Sequence, residues 1–270
     1  MNTLKAIIFD MDGTLADTEE IHRRAFNLAF QEYQFQWQWS PVEYRRLLSI
    51  SGGKERIRRY LQERGVQTDG PGALWRLAEA VHARKSEIYR ELLGAKSMQL
   101  RPGVRRLIDE AVKARLKLAI ATSSSRRNLE ILFASTLGVD AIQRFRAVVS
   151  CDMVEDKKPS PAVYQFALAE LGLEPQYCVA NEDTRNGNLA ARAAGLRTII
   201  TTHDYTRNDD FSGASLVVDS LGEPDQPCQV AAGDAHGETC VSVRLLRRIV
   251  RTEPERQNLS WETTAAVAVK

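Results

Sequence analysis

The chain has 270 residues, which at about 150 residues per domain predicts one to two domains with enough length to bury a core. Hydrophobic residues make up 43% and charged residues 27%, ordinary globular usage that excludes a disordered or fibrous chain. Lys plus Arg number 37 against 35 for Asp plus Glu, and the net +2 gives no global attraction for nucleic acid or a membrane surface.

In chain order, the first β-rich run is LKAIIF at 4–9, stopped by Asp10. Residues 18–98 then show only helical spacing, with Ile21, Ala25, Leu28 and Ala29 on one stripe and Leu74, Leu77, Ala78 and Val81 on another. Gly94 and Arg101-Pro102-Gly103 mark the return to alternation. Val104, Leu107, Ile108, Ala111 and Val112 fall at helical spacing before LKLAIA (116–121) and RAVVS (146–150). A helix carrying Val163, Phe166, Ala167 and Leu171 leads to YCVAN (177–181), and RTIIT (197–201) and SLVVD (215–219) follow. Each β-rich run is too short for a helix and reads as apolar on both faces, the pattern of a parallel sheet covered on both sides. The expected fold is therefore α/β, a doubly wound parallel sheet with an inserted all-helical cap: 1–17 and 99–251 form the sheet domain, 18–98 the cap, and 252–270 a polar tail. The stretch 221–238 reads as loop, and VSVRLLRRIV (241–250) as a last basic amphipathic helix capped by Ser242.

Cys151, Cys178, Cys228 and Cys240 have neither a CxxC pair nor zinc-ligand spacing, so they read as reduced thiols of a cytosolic-type compartment. The four His, at 22, 82, 203 and 236, never fall four apart, which excludes a two-His metal helix. No run approaches the roughly 18 apolar residues of a membrane span, and no nucleic-acid or membrane partner is expected.

Ligands of an open parallel sheet bind at the carboxyl ends of its strands. The residues found there are Asp10-Met11-Asp12-Gly13-Thr14, Thr122-Ser123-Ser124, Lys157-Lys158-Pro159 and Glu182-Asp183. Taken singly, most read better as turn or cap chemistry, the hydroxyls as a cap for a helix starting near Arg126, and the acidic pair reads equally as a complement to a helix N-terminus. Together, in order on one edge, they suit phosphoryl transfer. Asp10, Asp183 and Glu182 can supply oxygen ligands to Mg2+, and an Asp can attack phosphorus to form an aspartyl-phosphate. A carboxyl two residues on can protonate the leaving oxygen and then deprotonate water. Thr122, Lys158 and loop amides can neutralise the transferring oxygens.

DMDGTLADTEE, AIATSSS, KKPSP and NEDTRNGNLAARAAG resemble the four motifs of the haloacid dehalogenase superfamily of phosphohydrolases, in the subgroup whose helical cap follows the first motif. The likeness spans nearly all of 4–222, and LLSISGGKERI (47–57) and TTHDYTRNDDFSGASLVVDSLGEP (201–224) are similar to CbbY-type sugar-phosphate phosphatases of carbon-fixation operons. The resemblance implies Asp10 as nucleophile and metal ligand, Asp12 as general acid/base with its carbonyl on the metal, and Thr122 and Lys158 on the phosphate. It further implies that Asp183, assisted by Glu182, completes a Mg2+ site. Thr184 stands where Ser is usual, Cys151 where Gly is usual, and Asn188 where an apolar residue is usual, which puts packing at Asn188 in question.

In the cap, Gly52-Gly53 before a helical run exposes amides, with Lys54 and Arg56 adding cations for a second anionic group; a loop with a solvated basic face is the alternative. Glu19 and His22, with Tyr44 and Arg46 from the cap and Ser123 from the sheet, are candidate contacts to the sugar, although a helical His is as often structural. The implied protein is a cytoplasmic, monomeric, Mg2+-dependent phosphatase of a small phosphosugar, with xylulose 1,5-bisphosphate the expected substrate. The rivals are a β-phosphoglucomutase-like mutase using the same motifs and a non-catalytic binding protein on the same scaffold.

Overall fold

A computed structural model describes residues 3–95 and 98–251; the polar tail expected at 252–270 lies outside the described residues. Seven strands form one sheet in the order β3-β2-β1-β4-β5-β6-β7. The central β1 (Ala6–Phe9) is parallel to β2 (Lys117–Ala121) and β4 (Cys178–Glu182), with Phe9 opposite both Ile120 and Asn181. β3 (Ala147–Val149) flanks β2, and β5 (Arg197–Thr201) and β6 (Leu216–Val218) continue the parallel array beyond β4. β7 (Val230–Gly233) runs antiparallel to β6 at the far edge, inside the stretch that the sequence reads as loop. Its VAAG residues are all exposed. Backbone pairing to β6 makes it a strand, and no buried side-chain pattern announces it.

Period-two alternation sends each strand's side chains into two cores. Ile7, Phe9, Leu118, Ile120, Val179 and Ile199 face one; Ala6, Ile8, Ala119, Ala121, Cys178 and Ala180 face the other. The first is covered by α5 (Val104–Lys113), α6 (Arg126–Thr136) and α9 (Val243–Arg251), the second by α7 (Ala162–Leu171) and α8 (Arg185–Ala193). Ser125, rather than Thr122–Ser124, caps α6, its Oγ accepting from Asn128 N at 3.3 Å. Ser242 caps α9 through Leu245 N at 3.2 Å. Asn188 is buried without strain: its Oδ1 accepts from Thr198 Oγ1 at 2.7 Å, so a polar pair fills the place of an apolar contact.

Between β1 and α5 lie α1 (Glu19–Glu32), α2 (Pro41–Leu48), α3 (Gly53–Glu63) and α4 (Ala73–Ala95). This helical insertion has its own aromatic centre, where the Trp39 ring lies 4.6 Å from Phe26 and 4.8 Å from Phe30. The two chain crossings to the sheet meet, with Arg101 N donating to Leu15 O at 2.9 Å. The Arg101 guanidinium donates to the carbonyls of Gly13, Thr201, Thr202 and Asp219, tying the loop after β1 to the ends of β5 and β6. Among the described residues no helix is long and apolar enough to cross a membrane.

Candidate active site

Three strand ends converge beneath the insertion. Asp10 leaves β1 with its N–H on Asn181 O (2.9 Å), Thr122 leaves β2 with its N–H on Val149 O (3.0 Å), and Glu182 ends β4. Lys158 reaches in from the turn before α7, donating to Asp10 Oδ1 at 2.6 Å, Glu182 Oε1 at 2.5 Å and Ala121 O at 3.0 Å. Tyr164 on α7 also donates to Glu182 Oε1. Asp10, Glu182 and Asp183 are all buried and offer carboxylate oxygens within 4.8 Å of one another.

One ammonium among three carboxylates leaves a negative excess. Burial, reinforced by Glu182 and Asp183, raises the Asp10 carboxyl well above its ordinary range despite Lys158, and burial lifts Asp183 to about 6. Burial opposes charge on Lys158, but Asp10 and Glu182 more than offset it and hold the ammonium charged. Oxygen-only donors, close together and under-neutralised, fit a hard divalent cation such as Mg2+.

Asp12 is set differently. Its Oδ1 accepts from Thr18 Oγ1 at 2.6 Å and Tyr89 OH at 3.2 Å, and lies 3.2 Å from His22 Nε2. Lys85 Nζ stands 2.6 Å from His22 Nδ1, and Tyr89 stacks on the imidazole at 3.9 Å. An N–H of Lys85 donating to Nδ1 places the imidazole proton on Nε2, so donors run from Lys85 through His22 to Asp12. Burial and Lys85 lower the His22 pKa, in keeping with a neutral ring. Although burial works the other way, His22 and Thr18 bring Asp12 down to about 2. Two carboxylates two residues apart thus have opposite environments.

The cavity between sheet and insertion, about 300 Å³, is lined by all but one of the residues given a catalytic, metal or substrate role from the sequence: Asp10, Asp12, Glu19, His22, Tyr44, Gly52, Gly53, Lys54, Arg56, Thr122, Ser123, Lys158, Glu182 and Asp183. Arg46 is not brought to it. Its guanidinium is held on the surface by Glu43 and Glu63, because position 46 on α2 faces α3 instead of the sheet. Tyr44 OH donates to Glu19 Oε2 at 2.7 Å. Arg56 lines the cavity with its donors already committed, to Leu47 O (3.0 Å), Ile50 O (3.1 Å) and Tyr44 OH (3.3 Å). Lys54 keeps its ammonium at the rim, 3.6 Å from Glu79. Cys151 lies on the wall, but burial raises its thiol to about 11, which disfavours the reactive thiolate.

The sequence reading missed Thr18, Lys85, Tyr89, Tyr164 and His203, and it placed Lys157 at the sheet edge without giving it a role. Lys85 carried a signal: it falls four residues after Val81 and three before Ile88 on the buried face of α4, a charge on an apolar stripe. Thr18 lies within the first motif, six residues after Asp12, whereas Tyr89, Tyr164 and His203 are joined to the site only by tertiary contact.

The family model for haloacid dehalogenase-like hydrolases matches residues 7–201, and the chain belongs to that family. It is 44% identical over 234 residues to the plasmid-encoded protein CbbY of Cupriavidus necator, covering 86% of this chain and 92% of that protein. Rhodobacter capsulatus CbbY is 45% identical over 218 residues, 81% of this chain and 94% of the relative. A crystal structure of a Rhodobacter sphaeroides CbbY mutant in complex with xylulose 1,5-bisphosphate superposes with a TM-score of 0.75 at 44% identity, covering 82% of this chain and 96% of that one.

Proposed function

We propose that this enzyme is a Mg2+-dependent phosphatase of small sugar bisphosphates, acting through an aspartyl-phosphate on Asp10, with xylulose 1,5-bisphosphate as its preferred substrate and clearance of that Rubisco inhibitor as its role. The observation that carries this reading is the buried group Asp10, Glu182 and Asp183 bridged by Lys158, with an ionised Asp12 beside it in one cavity. Similarity to CbbY proteins and the bisphosphate held by the Rhodobacter sphaeroides relative support the substrate.

Asp10, Asp183, Glu182 and the Asp12 carbonyl would hold Mg2+, which when bound lowers the pKa of Asp10 and neutralises phosphoryl charge. Lys158 fixes Asp10 through Oδ1 and, with Thr122, presents a cation and a hydroxyl to the phosphoryl oxygens. Asp10 attacks phosphorus as the sugar oxygen leaves and takes a proton from Asp12. Asp12 then removes a proton from water, which attacks the aspartyl-phosphate, releasing phosphate and restoring Asp10. The donors gathered on Asp12 Oδ1 favour the base of the second step. Its role as acid in the first requires that part of this network loosen as substrate enters.

The geometry at the start of α3 supports a subsite there for the second phosphate of a bisphosphate. Gly52 has φ +90°, and a Cβ on Gly53 would lie 2.4 Å from His82 Nε2, so only glycines bring these amides to the cavity. Lys54 and Lys157 supply charge there. The test is phosphate release across a panel of sugar mono- and bisphosphates with Mg2+ and with EDTA. The expected result is metal-dependent release, fastest with xylulose 1,5-bisphosphate; isomerisation of a monophosphate instead would assign the mutase.

A further inference from the structure

His203 follows β5 in the run TTHDYT. Its side chain is 5% exposed, and Nε2 lies 2.9 Å from Asp183 Oδ2. On the other side of the ring, Nδ1 accepts the Tyr205 N–H at 3.3 Å, which places the ring proton on Nε2, so the imidazole donates to Asp183. The other side-chain donor to that carboxylate, Thr14 Oγ1, is longer at 3.3 Å and reaches Oδ1 instead. A Cβ on Gly13 would lie 2.1 Å from Asp183 Oδ2 and 2.8 Å from His203 Nε2, so carboxylate and imidazole are seated together against the loop after β1.

The loop carrying His203 is fixed from the helical insertion. Tyr205 OH donates to Glu20 Oε2 at 2.7 Å, Arg45 donates to Asp204 O at 2.6 Å, and the Tyr205 ring meets Tyr44 edge-on at 5.4 Å. α1 and α2 therefore hold the loop, the loop holds the imidazole, and the imidazole holds Asp183.

We infer that His203 is a positioning residue for the metal site, its Nε2–H keeping Asp183 in the orientation that meets a divalent cation together with Asp10 and Glu182. The inference rests on the Mg2+ reading above. A free Asp183 carboxylate would rotate about χ2, and ordering it would cost part of the binding free energy. Hydrogen-bond partners of metal ligands typically control about 10- to 100-fold in metal affinity.

The experiment is titration calorimetry of Mg2+ into the full-length protein and its His203→Ala, His203→Leu and His203→Gln variants, with thermal melts as the control for folding. Ala and Leu should weaken Mg2+ binding by about 10-fold or more, whereas Gln, whose Nε2 can still donate to Asp183, should recover most of the loss. In turnover assays the Ala and Leu variants should need more Mg2+ for half-maximal rate while keeping most of kcat at saturating metal, a split that general loosening of the fold does not produce. If Ala does not fold, Leu, which retains the bulk, decides. Mg2+ affinity unchanged in a folded Ala or Leu variant overturns the inference, as does a Gln variant as weak as Ala. Wild-type protein that binds no Mg2+ overturns the metal reading itself, which keeps the two failures apart.

Discussion

At the scale of single residues, the site divides labour between two carboxyls two positions apart. Asp10 sits among like charges and Asp12 among donors. Asp10→Asn keeps shape but removes the proposed nucleophile and a proposed metal ligand, so turnover should vanish while the thermal melt stays near wild type; substantial phosphatase activity in the folded variant would falsify the aspartyl-phosphate route. Lys85 gives a test by pH. Burial pushes it from an ordinary 10.5 down to about 7, so between those values the unfolded chain holds the proton and the folded chain does not. Stability contributed by neutral Lys85 is present above 10.5 and is lost as pH falls towards 7. Relative to wild type, Lys85→Met should therefore look progressively more stabilising from pH 10 to pH 7 in denaturant titrations, although loss of the donor to His22 lowers activity throughout. A stability difference that does not change with pH would show that Lys85 titrates normally.

At the scale of elements, what was legible depended on where each signal resides. Strands buried on both faces announce themselves as short apolar runs, and α1 to α4 as stripes without intervening strands. β7 could not be read this way, because its pairing uses only backbone groups and its four side chains are exposed. The same distinction holds in the site. Asp10, Asp12 and the Glu182-Asp183 pair stand at strand ends that the sequence locates and Lys158 in the turn before α7, whereas Tyr164 and His203 reach their carboxylates across gaps of 18 and 20 positions. The loop after β1 shows how local geometry serves that convergence. Gly13 has φ +78°, and an added Cβ would occupy the space of the Asp183 carboxylate. Gly13→Ala should displace Asp183 and cost about 1–3 kcal/mol of stability, with a larger fractional loss of Mg2+ binding than of folded protein. Calorimetric titration beside a melt checks this, and unaltered metal affinity would show that the loop yields without moving Asp183.

At the scale of the whole molecule, sheet and insertion meet near the start of α3 through direct polar contacts from two residues of the sheet domain. Lys157 Nζ pairs with Glu55 Oε1 at 2.8 Å, and Asn186 Nδ2 donates to Ser49 O and Ser51 Oγ, each at 3.0 Å. A substrate with a phosphate at each end would engage Asp10 with one and the start of α3 with the other, binding both halves of the enzyme at once. Arg56 is a poor probe of this bridging, since its removal would leave the Leu47 and Ile50 carbonyls without their donors and act through stability. Lys54 and Lys157 are better ones, because their partners are the partly exposed carboxylates of Glu79 and Glu55 and no buried backbone carbonyl loses its donor. Replacing both by Met should lower kcat/KM for a sugar bisphosphate by about one to two decades per lost charge-assisted contact, while hydrolysis of a small aryl phosphate changes much less. Glu55→Gln moves the system the other way, freeing Lys157 from its carboxylate, and should leave bisphosphate turnover at or above wild type. Equal losses on both substrates in the double variant, or a Glu55→Gln enzyme as impaired as that variant, would mean that the Lys157–Glu55 pair matters as a clasp between sheet and insertion, and the second phosphate would have to be held elsewhere.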